Sequence, residues 1–249
     1  MTRSKKKVWK LSSKNSQSQW YRKWVIEWEV PRKCVHSSIG VITLGFYRQR
    51  FEATMITPYL VMLFIPAFGC DLIRFSVPKF NNIYITILGP LMRQSEINTW
   101  NGVIFYLIGT WTVLIIFPKD IAVISILLLA WCDTAASTMG RMYGHYGPLI
   151  RPGKSLIGTI AACIVGMISV YLFWGWIARF DEPNLSWHPS SRLNIHELAL
   201  LTGLIGGFTE QLDLWKLNDN CVIPVMSGSL LYIILKRYIF NKSNAGHIF

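Results

Sequence analysis

Seven stretches of this chain are apolar almost throughout: 34–47, 53–73, 101–117, 119–138, 155–178, 198–214 and 221–235. A spanning helix needs about 20 mostly apolar residues to cross a hydrocarbon core about 30 Å thick, so each run predicts a transmembrane segment. The first, about 21 Å long at 1.5 Å per residue, is short enough for a partial or re-entrant span. Runs three and four meet at Phe117-Pro118-Lys119-Asp120, where proline ends one helix and leaves almost no loop, so these two are antiparallel neighbours. The pattern predicts an all-α integral membrane protein, a polytopic bundle of about seven helices forming one domain over residues 29–240.

Polar sequence frames that domain. Residues 1–28 form a basic arm, of which 1–19 are rich in Ser and Gln and cannot build a core. Trp20, Trp24 and Trp28 recur every fourth residue, which places three indoles on one helical face and suits either an interfacial helix or one packed on the bundle. Residues 241–249 are a short tail.

Composition agrees: 52% of the 249 residues are hydrophobic, only 15% are charged, and the formal charge is +12. The expected partner is the lipid bilayer, not nucleic acid. Cys34, Cys70, Cys132, Cys163 and Cys221 lie singly in or beside apolar runs, so they are read as packing residues and not as a disulfide or zinc framework. No cleavable signal peptide is recognisable, and an uncleaved internal signal is the simpler reading.

About ten Lys or Arg precede the first run, which by the positive-inside rule puts the N-terminus in the cytosol. With seven spans, segments 74–100, 139–154 and 215–220 are then cytosolic loops. The C-terminus and both N-x-[ST] sequons, at Asn184 and Asn241, fall on the luminal side.

The chemistry gathers on the cytosolic side. In "WCDTAASTMGR", Asp133, Ser137, Gly140 and Arg141 share one helical face, combining a carboxylate, a hydroxyl, a bare backbone position and a guanidinium. A carboxylate inside a membrane costs about 2.5 to 3.5 kcal/mol, so Asp133 either has a partner, a metal or a watery cleft, or snorkels from the helix end. The loop that follows supplies Arg151 and Lys154 with Gly144, Gly147 and Gly153, and Ser155 opens the next helix, whose N-terminal end favours an anion. A Walker A loop is excluded, because Pro148 stands where its first glycine belongs; a polyphosphate site remains. Arg32, Lys33 and His36 stand at the start of the first run, either as ordinary membrane anchors or as part of that site.

Two further segments add Arg93, Glu96 and Asn101 before run three, and Glu210, Asp213, Asp219 and Asn220 between runs six and seven. Glu96 reads equally as a helix-start acid and Asn101 as a cap. Glu210 and Asp213, i and i+3 on an apolar helix with few bases nearby, suggest coordination of magnesium or calcium by hard oxygen ligands.

At "EVPRKCVHSSIG", "EINTWNGVIFYLIGT", "WCDTAASTMGRMYGH", "RPGKSLIGTIAA" and "EQLDLWKLNDNCVIPV", in that order and spacing, the chain resembles the CTP-dependent diacylglycerol kinases of the fungal endoplasmic reticulum, relatives of the dolichol kinases and phosphatidate cytidylyltransferases. The resemblance runs from Glu29 to Gly228. It implies transfer of the terminal phosphate of CTP to diacylglycerol with magnesium or calcium, in the endoplasmic reticulum membrane or nuclear envelope. The family's essential positions fall on Arg32, Lys33, Asp133 and Gly140. On that footing Asp133, with Asp213 or Asp219, would hold the metal; Arg32, Lys33, Arg141 and Lys154 would hold the triphosphate; and His36 or a carboxylate would take the hydroxyl proton. A polyprenol kinase, a cytidylyltransferase and, from a different class, a transporter are the rival readings.

Overall fold

The computed structural model describes residues 21–182, 184–212 and 217–245. Each of the seven apolar runs centres on a helix. They are α1 (Val30–Arg48), α2 (Ala53–Ser76), α4 (Gly102–Ile116), α5 (Lys119–Tyr146), α6 (Leu156–Ile177), α7 (Ile195–Gln211) and α8 (Asp219–Ala245), with α3 (Pro78–Leu88) between α2 and α4. The chain is an all-α polytopic membrane protein. Four helices, α2, α5, α6 and Asp219–Arg237 of α8, are long and apolar enough to cross a bilayer. By the same measures α4 is a shorter apolar helix, α1 is long enough but less apolar, and α7 has 17 residues.

The helix α3 replaces part of the loop expected over 74–100. Its stripe Phe80, Ile83, Tyr84, Ile87 is amphipathic, and 11 residues are too few to register as a span. Tyr84 is buried while Ile83 and Ile87 are exposed. Before the bundle, Arg22–Glu27 forms a π-helical turn; Trp24 is exposed and Trp28 half-buried, and Trp20 lies outside the described residues.

At the centre stands α5. Burial reaches 72% of its apolar window against 6% for α2, which separates a core helix from one that shows large apolar side chains outward. Residues Ile121–Ala130 are buried all round, as in a helix enclosed by others. The rod is interrupted once, by a π turn at Leu128–Cys132 immediately before Asp133, a device common where a helix must re-aim a functional side chain.

The bundle has two polar ends. One carries Glu29, Arg93, Arg141, Lys154 and Asp219. At the other, Lys119 Nζ donates to Glu52 Oε1 and Glu182 Oε1, both at 3.1 Å, and Arg50 pairs with Asp181. There too Asp120 accepts from Ser186 N at 2.7 Å and Ser186 Oγ at 2.9 Å. The sequon at Asn184 therefore has its Ser186 hydroxyl engaged in the fold.

Helix α2 buries only Asp71 and Arg74, and these hold the segment before α4. Arg74 Nε donates to Asp71 Oδ1 at 2.6 Å, and the guanidinium also donates to the carbonyls of Glu96, Ile97 and Thr99. Asp71 Oδ2 accepts from Asn101 N at 2.6 Å, and Asn101 Oδ1 caps α4 by accepting from Val103 N.

Candidate functional site

A cavity of about 300 Å³ opens at the Glu29 end, walled by α5, the start of α6 and the facing ends of α7 and α8. Its charged lining is three bases, Arg93, Arg141 and Lys154, and four carboxylates, Glu29, Asp133, Glu210 and Asp219. Ser137, Gly140, Gly153 and Ser155 complete the wall together with Thr159 and Gln211.

Each of these side chains has a local reason for its position. Asp133 follows the π turn of α5 and is 3% exposed, with Arg93 Nη2 3.8 Å from Oδ1 and His36 Nε2 3.7 Å from Oδ2. Glu29 precedes α1 in a left-handed conformation and accepts from Arg32 Nη2 at 2.6 Å and Arg141 Nη2 at 2.8 Å. Gly153 has φ +82°, which lets the turn between β1 (Leu149–Arg151) and β2 (Lys154–Ser155) close and brings Lys154 inward. Ser155 then caps α6, its Oγ accepting from Gly158 N. At Gly140 and Gly144 an added Cβ would stand 3.2 Å and 3.0 Å from that same Oγ, so α5 approaches the α6 cap closely.

Lys154 Nζ donates to Glu210 Oε1 at 2.6 Å and to Asp219 Oδ2 at 3.3 Å. This corrects the reading of Glu210 as a carboxylate without a basic partner. Burial alone would lower the Lys154 ammonium pKa, but the Glu210 and Asp219 carboxylates outweigh it and raise it. Burial likewise pushes Glu29 upward, and the guanidinium groups of Arg32 and Arg141 reverse this and hold it below the ordinary carboxylate value.

Other expected members stand elsewhere. Lys33 is buried and donates to Thr138 Oγ1 at 3.0 Å, tying α1 to α5 without lining the cavity. Arg151 donates to Leu212 O, and Gly144 lies behind the wall. Asp213 lies outside the described residues. The sequence reading gave Glu29 no role and took Arg93 only as a base before run three. An acid just ahead of "VPRK" was the available signal for Glu29.

A second, apolar cavity of about 410 Å³ lies between α1, α2, α4 and α5. Arg32, His36, Glu96, Asn101 and Asn220 gather at one end of it. Glu96 Oε2 accepts from Arg93 N, and Asn220 Nδ2 donates to Gly102 O. His36 belongs to this cavity and Asp133 to the polar one, so their contact forms the wall between the two.

Among the described residues no three His, Cys, Asp or Glu side chains form an all-protein metal cage. The donors present fit a cation carried on phosphate oxygens, which needs one or two carboxylates only. Glu210 Oε2 is buried without a hydrogen-bond partner, and the cavity's carboxylates outnumber its bases.

No family model and no solved structure matches the chain. Curated relatives do. CTP-dependent diacylglycerol kinase 1 of Schizosaccharomyces pombe is 47% identical over 225 residues, covering 90% of this chain and 100% of that protein. The Saccharomyces cerevisiae protein of the same name is 40% identical over 226 residues, covering 88% of this chain and 78% of its own length. The one from Eremothecium gossypii is 40% identical, covering 87% and 70%. With identity of this degree over nearly the whole of its length, the chain belongs to the CTP-dependent diacylglycerol kinase family.

Proposed function

We propose that the protein transfers the γ-phosphate of CTP to the free hydroxyl of diacylglycerol. The hydroxyl oxygen bonds to the γ-phosphorus, the bond from that phosphorus to the β,γ-bridging oxygen breaks, the hydroxyl proton is released, and CDP and phosphatidate leave. The names of the relatives support donor and acceptor. The observation that carries the reading is the His36–Asp133 contact, because it joins a charged cavity suited to a triphosphate to an apolar one suited to a lipid.

In this reading Arg93, Arg141 and Lys154 hold the phosphates, with Arg32 at the divide. Asp133, Glu210 and Asp219 are the carboxylates that would hold magnesium or calcium, which supplies neutralisation of phosphate charge. The His36 Nε2–H donates to Leu129 O at 3.2 Å, since a carbonyl only accepts, so in the neutral ring Nδ1 has the lone pair. His36 therefore receives the hydroxyl proton through Nδ1 or orients the hydroxyl; a loose phosphoryl-transfer transition state asks little of a base. Lys33 acts indirectly, by fixing α1 on α5. The basic N-terminal sequence supports a cytosolic site, and the resemblance to the fungal enzymes is what points to the endoplasmic reticulum membrane or nuclear envelope.

The test is thin-layer separation of labelled lipid after incubation of purified protein with diacylglycerol and γ-labelled CTP or ATP, beside Asp133→Ala. Labelled phosphatidate from CTP alone, lost in the variant, is expected. Label from ATP as readily as from CTP overturns the donor; no phosphatidate from diacylglycerol, but a CDP-lipid by mass when phosphatidate is supplied in its place, would overturn the reaction type.

A further inference from the structure

We propose that the apolar cavity holds one acyl chain of the lipid acceptor along its length and that the side chains of its far half measure that chain. The inference rests on the reading of diacylglycerol as the acceptor and assigns where the lipid lies and what limits it.

The polar groups beside Asp133 and the apolar stretch that follows them match the headgroup and chain of a glyceride. Arg32, His36 and Glu96 stand at the end next to Asp133, while Ile39, Leu114 and Ile126 line the stretch beyond. Along α1 it runs from Arg32 to Tyr47, about 22 Å at 1.5 Å per residue, more than the half-thickness of a hydrocarbon core of about 30 Å that one leaflet's chains occupy. The far end is closed by Tyr47 and by Lys119, which Glu52 and Glu182 hold in place.

Buried polar atoms of the lining lack partners. Asn220 Oδ1 makes no hydrogen bond, and the Tyr106 and Thr110 hydroxyls, one turn apart on α4, find none beyond each other. Leaving such groups dry is destabilising, and a plain hydrocarbon would not relieve it. A glyceride carries a hydroxyl donor and ester carbonyl acceptors within a few atoms of one another, and these suit Asn220 Oδ1 and the Tyr106 hydroxyl in turn. The lining residues Val35, Ile42 and Leu63 are exposed on the outer surface of α1 and α2, so the cavity is open sideways to the bilayer.

Leu114, deep in the cavity and only half-buried, is the position at which length is read. In mixed micelles with CTP, the ratio of kcat/KM for dioleoylglycerol to that for dioctanoylglycerol is expected to fall at least tenfold in Leu114→Trp, with KM for CTP unchanged. Leu114→Ala is expected to raise kcat/KM for a C20 diacylglycerol relative to dioleoylglycerol, and it decides the matter should the Trp variant fail to fold. Normal wild-type turnover with unchanged ratios in the variants overturns the pocket assignment alone. No phosphatidate from any of these substrates in the wild type overturns the acceptor, and the pocket assignment falls with it. A lining that holds only a structural phospholipid gives the unchanged ratios.

Discussion

His36 Nε2 lies 3.7 Å from Asp133 Oδ2, and this pair stands where the charged cavity and the apolar cavity meet. Two reactants of opposite solubility must meet in a lipid kinase, and one wall shared by a triphosphate-sized polar cavity and a lipid-facing groove lets them do so without exposing either to the other's solvent. Helix α1 brings His36 and α5 brings Asp133, so the meeting point depends on how those two helices pack. The Trp131 indole N–H donating to Ser37 O at 3.0 Å and the Lys33–Thr138 bond fix that packing on either side.

Asp133→Asn keeps the shape of the side chain and removes its charge. It is expected to lower kcat with CTP at least a hundredfold, the scale of losing one preorganised electrostatic contact in a water-poor site. Single-turnover assays at saturating lipid and metal check this, and a kcat within tenfold of wild type would remove Asp133 from the phosphate-facing charge set.

Lys154→Met leaves the buried Glu210 and the partly exposed Asp219 without their shared cation. Breaking a buried ion pair costs about 3 to 5 kcal/mol, and the exposure of Asp219 puts this case near the lower figure. Adding Glu210→Gln is expected to restore most of the thermal stability in detergent without restoring turnover. Recovery of both would make Lys154 a structural residue only.

How much of this was legible in the sequence depended on range. Apolar runs announce helices because burial or lipid contact must continue over several turns, so all seven runs found their helices. Eleven residues of α3 carry too little apolar length to stand out, although Phe80, Ile83, Tyr84 and Ile87 mark one face. The face Asp133, Ser137, Gly140, Arg141 was readable from helical spacing, and all four line one cavity. The Lys154–Glu210 pair was not, because its partners are 56 residues apart and meet only through the packing of α6 on α7. For the same reason Lys33, adjacent to Arg32 in sequence, turned out to face Thr138 and not the cavity.

Arg74→Met should destabilise the protein by about 3 to 5 kcal/mol, since it strands Asp71 as an unpaired charge in a fully buried position. The carbonyls of Glu96, Ile97 and Thr99 lose their donor as well, so the segment carrying Arg93 loosens. Hydrogen exchange across residues 93–101 is expected to speed up more than exchange in α5. Uniform acceleration would show that the pair stabilises the whole bundle without holding that segment in particular.

The arm of the site formed by Glu29 sets an acid limit. Arg32 and Arg141 hold its pKa below the ordinary 4.5 against the upward push of burial, so the folded state binds the Glu29 proton less tightly than the unfolded chain does. Its contribution to stability is therefore complete above about pH 4.5 and is lost as pH falls through the lower folded value. Lys154 has the opposite sign: its raised pKa keeps its contribution intact below the ordinary 10.5 and gives it up only as pH rises through the folded value. Between those limits both contacts persist, so neither group should make stability vary with pH near neutrality. Thermal unfolding of Glu29→Gln, followed from pH 7 down to pH 3.5, is expected to show a lower melting temperature at pH 7 and a shallower fall below pH 4.5 than wild type. Parallel curves across that range would mean that the Glu29 carboxylate is no better stabilised in the fold than in the unfolded chain.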